Sequence, residues 1–160
     1  MVNLTKDTIG IFAGSFDPIT LGHDHVIQEA SKLVDILIVV VATNDNKTPM
    51  FSISDRFFMA QRATKIYSNV IVRKTDQLLV DYAKEVKASV LFRGLRYASE
   101  YEYELDLSLW NAKIGNISTV GIFPKDLQIS SSAIRLLIKH NNPKWKEYVH
   151  PEVAEYIDNL

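Results

Sequence analysis

The chain has no cysteine. That excludes disulfides, thiolate nucleophiles and cysteine-based zinc sites together, and it suits a reducing compartment. Charge of one sign is also lacking: 18 lysines and arginines stand against 19 acidic residues, a net charge of −1. Nothing therefore draws the molecule globally to nucleic acid or to an acidic membrane, and any anion site must come from a local cluster. There is neither a basic stripe nor a repeated aromatic platform, so no nucleic-acid partner is expected. The longest apolar run, Ile36 to Ala42, is far too short to span a bilayer. Asn3, Thr5, Lys6 and Asp7 interrupt the start, which does not read as a secretory leader, and a cytoplasmic protein is expected. Repeats, low-complexity tracts and linkers are missing too, so residues 1–160 are expected to form a single domain.

What the chain does contain is a core. Its 160 residues are 47% hydrophobic, enough to bury a substantial interior and too apolar for disorder. Thr8–Ala13, Ile36–Ala42, Val70–Arg73, Val90–Phe92 and Thr119–Phe123 are short, rich in β-branched residues and apolar on both faces, as strands buried in a parallel sheet are. Between them lie helical spacings: Val26, Ile27, Ala30, Leu33 and Val34, then Phe57, Phe58, Ala63 and Ile66 behind a Ser52/Asp55 capping pair, then Leu79, Tyr82, Ala83 and Val86. Pro151 to Leu160 suits a short final helix. The repeated alternation predicts an α/β fold, a doubly wound five-stranded parallel sheet. Ligands of such sheets bind outside the carboxyl ends of the strands, at the topological switch point.

Glu100 to Leu109 alternates polar and apolar residues, which by period alone reads as a strand. Tyr103, Leu107, Trp110 and Ile114 also share one face of a helix. The need for a crossover between parallel strands selects the helix.

The most informative stretch is Gly14-Ser15-Phe16-Asp17-Pro18-Ile19-Thr20-Leu21-Gly22-His23. It joins a strand to a helix through a glycine-bearing loop, an arrangement that offers backbone N–H groups and a helix dipole to an anion. His23 falls in the first helical turn, where it can donate a hydrogen bond to a phosphate whose charge grows in the transition state. Ser15 brings a hydroxyl to the same place, whereas Asp17 reads as a turn residue. His25 points to another helix face and, with His140 and His150, reads as structural or exposed. Lys47 follows the second strand, and Arg93 and Arg96 follow the fourth, so three cations meet at one rim. Ile129-Ser130-Ser131-Ser132 opens a second helix with more hydroxyl and N–H donors than one cap requires.

Thr20-Leu21-Gly22-His23 resembles the H-x-G-H signature of the nucleotidyltransferase superfamily, with threonine in the first place. The longer G-S-F-D-P-I-T-L-G-H stretch, the K-x-P-M-F segment from Lys47 to Phe51, R-G-L-R from Arg93 to Arg96 and I-S-S-S from Ile129 to Ser132 are similar to the phosphopantetheine adenylyltransferases, in the same order along nearly the whole chain. The resemblance implies a Rossmann-like fold with a helix over Glu100–Leu109. It also implies transfer of AMP from ATP to 4′-phosphopantetheine with release of pyrophosphate, magnesium, and a homohexamer. It assigns Ser15, Lys47, Leu79 and Arg93 to phosphopantetheine. To ATP it assigns Ser15, Phe16, His23, Gly94, Leu95, Arg96, Glu104, Asp126, Leu127, Gln128, Ile129, Ser130, Ser131 and Ser132. His23, Lys47 and Ser15 are the expected catalytic residues, and magnesium would be held through substrate phosphates. Two departures stand out: Ala13 replaces a frequent proline, and Asp126-Leu127-Gln128 replaces an aromatic-containing approach to the serines. The rival readings are a nucleotidyltransferase acting on nicotinate mononucleotide or making a CDP-alcohol, and a nucleotide-binding module without turnover.

Overall fold

The computed structural model describes residues 7–43, 48–126 and 129–160. Five strands, β1 (Ile9–Gly14), β2 (Ile36–Ala42), β3 (Val70–Thr75), β4 (Val90–Gly94) and β5 (Ser118–Ile122), form one parallel sheet in the order β3-β2-β1-β4-β5. The period-two alternation of a strand sends Phe12, Leu37, Val39 and Val41 to one face and Ile11, Ala13, Ile38 and Val40 to the other. Helices α1 (Leu21–Ser31), α2 (Ile53–Thr64), α5 (Ser131–Lys139) and α6 (Pro151–Asp158) cover the first face and share the larger core. From β3 the chain must pass β2 and β1 to reach β4. Helix α3 (Leu79–Glu85) makes that crossing on the second face, where Ala83 packs with Ile11, Val40 and Leu91. Helix α4 (Ala98–Gly115) then packs against α3 and β5.

The central strands match their expected pattern because helices cover both faces. The edge strands do not. Ile71 of β3 and Val120 of β5 reach solvent, since one neighbour and part of one layer are missing there. Helix α2 begins as expected, with the Ser52 hydroxyl accepting from the Asp55 N–H. Its inward stripe is different: Arg56, Met59, Ala60, Ala63 and Thr64 are buried, while Phe58 and Ile66 are exposed. The cap sets the helix phase, and Arg56 heads the buried face although its charge hides it from a hydrophobic pattern. Leu33, just past α1, is exposed as well.

The ambiguous Glu100–Leu109 segment is helical and lies within α4, yet no residue of α4 is buried. Tyr101, Tyr103, Leu109, Trp110 and Ile114 all stand in solvent. His150 caps α6 by accepting from the Glu152 N–H, and His25 Nε2 lies 3.1 Å from the Phe123 carbonyl oxygen. No helix among the described residues is long and apolar enough to cross a membrane.

The Thr119 Oγ1 atom on β5 is buried without a hydrogen-bond partner among the described residues. An unsatisfied hydroxyl carries its desolvation cost uncompensated. Thr119→Val, which keeps the β-branched shape, is expected to raise stability by about 1 kcal/mol in urea unfolding. A loss of similar size would mean that the hydroxyl has a partner.

Candidate active site

A pocket of about 850 Å³ opens at the carboxyl ends of β1 and β4, between Gly14 and Gly94, where the strand order reverses. Its floor is the loop from Ser15 to Thr20. Phe16 sits in the left-handed region at φ 47° with its side chain fully buried. That backbone turn places the ring beneath His23, edge to face, with centroids 5.0 Å apart and planes at 79°.

Thr20 caps α1 and sets the imidazole. Its hydroxyl accepts from the His23 N–H at 3.3 Å, and its own N–H donates to His23 Nδ1 at 3.0 Å. A nitrogen that accepts from a backbone N–H carries no proton, so the neutral ring bears its hydrogen on Nε2. Burial, aided by the Arg96 charge, holds the His23 pKa down at about 4. At neutral pH this side chain is therefore an uncharged donor on the pocket wall.

Two buried charges brace the floor. The Asp17 carboxylate accepts from the Met50 and Phe51 N–H groups, both at 2.9 Å, and lies 3.7 Å from Arg135 Nη1. Asp17 does occupy a turn, but its carboxylate also ties the loop after β2 to the loop after β1. Arg56 completes the tie. Its Nη1 donates to the Ser15 and Ala42 carbonyls at 2.7 and 3.1 Å, and its Nε to the Phe51 carbonyl at 3.1 Å.

The opposite wall is the start of α5. Ser130 is the cap, accepting from the Ala133 N–H. The Ser131 hydroxyl donates to the Pro18 carbonyl at 2.9 Å, pinning this helix to the β1–α1 loop. Arg135 donates to the Asp17 carbonyl and the Ser132 hydroxyl. The N-terminal ends of α1 and α5 thus both line one pocket, and their partial positive charges add there.

Residues 11–137 match the cytidylyltransferase-like family. The phosphopantetheine adenylyltransferase of Helicobacter pylori is 44% identical over 155 residues, 95% of this chain and 98% of that one. That of Wolinella succinogenes is 42% identical over 150 residues, 92% of each. The chain belongs to the phosphopantetheine adenylyltransferases. A solved structure from Vibrio parahaemolyticus, described as a putative nicotinate-nucleotide adenylyltransferase, superposes with a TM-score of 0.72 over 96% of this chain and 93% of that one. At 20% identity it shows a shared fold.

Most residues that the sequence marks out for this adenylyltransferase meet at the pocket. Ser15, Phe16 and His23 line it from the first loop, and Arg93, Gly94 and Arg96 from the end of β4. Asp126, Ile129 and the three serines close it. Leu95 stands apart: its N–H donates to the Ile122 carbonyl, and its side chain lies over Gly121, where a Cβ would come within 2.3 Å of it. Leu79 and Glu104 line a separate crevice of about 160 Å³ between α3, α4 and the sheet. Arg93 borders both spaces. Lys47, Leu127 and Gln128 lie outside the described residues. Among the described residues no three of His, Cys, Asp and Glu converge as a metal site.

The sequence reading missed Arg56 as part of the site, and took Arg135 as the arginine of the serine motif without giving it a role of its own. For Arg56 the available signal was its position on the stripe with Met59, Ala60 and Ala63. For Arg135 it was one helical turn's distance from Ser132.

Proposed function

We propose that the chain transfers the adenylyl group of ATP to 4′-phosphopantetheine, giving dephospho-coenzyme A and pyrophosphate. One observation carries the reading: a neutral imidazole with Nδ1 occupied by the Thr20 N–H, standing between two helix N-termini. The acceptor's phosphate is already anionic at neutral pH, so neither a general base nor a covalent enzyme intermediate is needed. A phosphate oxygen of the acceptor bonds to the α-phosphorus while the bond to the bridging oxygen breaks, and pyrophosphate leaves with that electron pair. Catalysis then consists of alignment and charge stabilisation. In this reading His23 donates through Nε2–H to an α-phosphate oxygen, and Ser15 and the α1 N-terminus assist. Arg96 and the Ser130–Ser132 turn hold the remaining ATP phosphates. Lys47 and Arg93 take the acceptor phosphate, and the arm of the acceptor enters the crevice beside Leu79. Magnesium would enter with ATP and offset phosphate charge, since the described residues offer no metal site of their own.

The protein is proposed to work in the cytoplasm as a homohexamer. The apolar, solvent-facing α4 supports assembly, because Tyr103, Trp110 and Ile114 share one face of that helix and all stand in solvent, more than a monomer usually leaves uncovered. Light scattering should report six copies.

Pyrophosphate release should be measured with ATP and, in turn, phosphopantetheine and nicotinate mononucleotide, and with CTP and a phosphorylated alcohol. Release with phosphopantetheine at least about a hundredfold above the others is expected, since a site built to pair a substrate's polar groups rejects analogues lacking them. Equal rates, or none, would overturn the reading.

A further inference from the structure

The resemblance assigns Glu104 to ATP, but its carboxylate does not line the large pocket. It is only 13% exposed and grips Arg93 side-on, with Oε2 accepting from Nε at 2.8 Å and Oε1 from Nη2 at 2.7 Å. A guanidinium has two edges with paired N–H groups, and Glu104 occupies the one made by Nε and Nη2. Among the described residues no protein group takes the other edge, Nη1 with the second hydrogen of Nη2, and that edge matches two oxygens of one phosphate. Arg93 stands at the end of β4 where the polar pocket meets the apolar crevice. That is the point at which a substrate with a phosphate head and a long uncharged arm must change surroundings.

Building on the function proposed above, we infer that Glu104 is a positioning residue for the acceptor: it fixes the plane of Arg93 so that the free edge of the guanidinium grips the phosphate of phosphopantetheine. The alternatives for Arg93 are costly. Without the carboxylate its long side chain regains rotamer freedom, and ordering it again falls on substrate binding. A carboxylate left without Arg93 would instead repel the incoming phosphate. The effect of Glu104 on the acceptor thus depends on the presence of Arg93, and that dependence is the signature to look for.

The test uses the full chain, after wild-type turnover of phosphopantetheine has been established; absence of that turnover would sink the proposed function itself. With turnover in hand, Glu104→Gln is expected to raise KM for phosphopantetheine roughly tenfold or more, with KM for ATP and kcat changed less than about twofold. Competition by pantetheine, which lacks the phosphate, should weaken less than about twofold in the same variant. A general loosening of α4 would weaken both ligands. On an Arg93→Ala background the same Glu104→Gln change should leave KM for phosphopantetheine unchanged or lower it, because the carboxylate is then only a repulsive charge. If Glu104→Gln proves poorly folded by its melting curve, Glu104→Asp supplies the comparison. Its shorter side chain cannot span both nitrogens, and an intermediate rise in the same KM is expected. A rise in KM for ATP, an equal loss of pantetheine binding, or multiplicative effects of the two substitutions would each overturn the assignment.

Discussion

His23→Ala lowers kcat by about 10²–10³, the usual loss when one preorganised donor to a transition-state oxygen is removed, while the affinity for ATP changes only a few-fold. The expectation rests on how the ring is held. Thr20 occupies Nδ1, Phe16 supports the ring from below, and burial together with the Arg96 charge keeps it neutral, with a pKa of about 4. A neutral donor adds little to ground-state binding of an anion, and it strengthens as charge accumulates on the α-phosphate oxygens. Rapid-quench measurements with saturating substrates test the rate, and equilibrium binding of a non-hydrolysable ATP analogue tests the affinity. A variant retaining a tenth of wild-type turnover would remove His23 from the chemistry.

The same geometry fixes a pH dependence. The folded His23 pKa, about 4, lies below the ordinary value of 6.5. The unfolded chain therefore binds the extra proton first as pH falls. Stability tied to the neutral ring is fully present above pH 6.5 and drains away as pH falls toward 4. Wild type should lose more of its melting temperature across that window than His23→Ala does. Turnover should show no ionisation of His23 between about pH 6 and 8, and an inflection near 6.5 that disappears in His23→Ala would contradict the tautomer derived from Thr20.

The features legible in the sequence are those set by local pattern. β2 reads correctly because both its faces are covered, so each of its residues is apolar. The capping of α2 by Ser52 and of α5 by one of the three serines, Ser130, follows from side chains within three residues of each other. What escaped is what distant segments decide. Phe58 and Ile66 are apolar yet exposed, because the phase of α2 turns Arg56 inward in their place. α4 satisfies a helical pattern along Tyr103, Leu107 and Trp110, but pattern cannot say whether its own chain supplies anything to cover that face. Glu104 and Arg93 are eleven positions apart on different elements, and no spacing rule announces a bidentate pair. The cations at the rim were visible as residue types. Which of them bind ligand and which brace the fold is a question only the third dimension answers.

Arg56 is the clearest brace, and its removal should have the largest effect on stability. One guanidinium satisfies the carbonyls of Ser15, Ala42 and Phe51, which follow β1, end β2 and precede α2. Its side chain is almost wholly buried, and Asp17 beside it partly offsets the cost of that burial. Arg56→Leu leaves three carbonyls facing an apolar side chain. Each unsatisfied group costs about 1–3 kcal/mol, partly relieved where water can enter from the pocket, so a total loss of about 3–5 kcal/mol is expected. Asp17 itself retains two N–H donors and Arg135, so the loss is not compounded by a stranded carboxylate. Arg56→Lys keeps the charge but has one nitrogen where three carbonyls diverge, and it should recover less than half of the loss. Urea unfolding at 25 °C reads both values. Against the 5–15 kcal/mol typical of a domain, the leucine variant should be partly unfolded at 37 °C, and its surviving fraction should show raised KM for both substrates, since Ser15 loses its anchor. A loss below about 1 kcal/mol in Arg56→Leu would mean that the carbonyls find water readily and that the two loops are held by Asp17 alone.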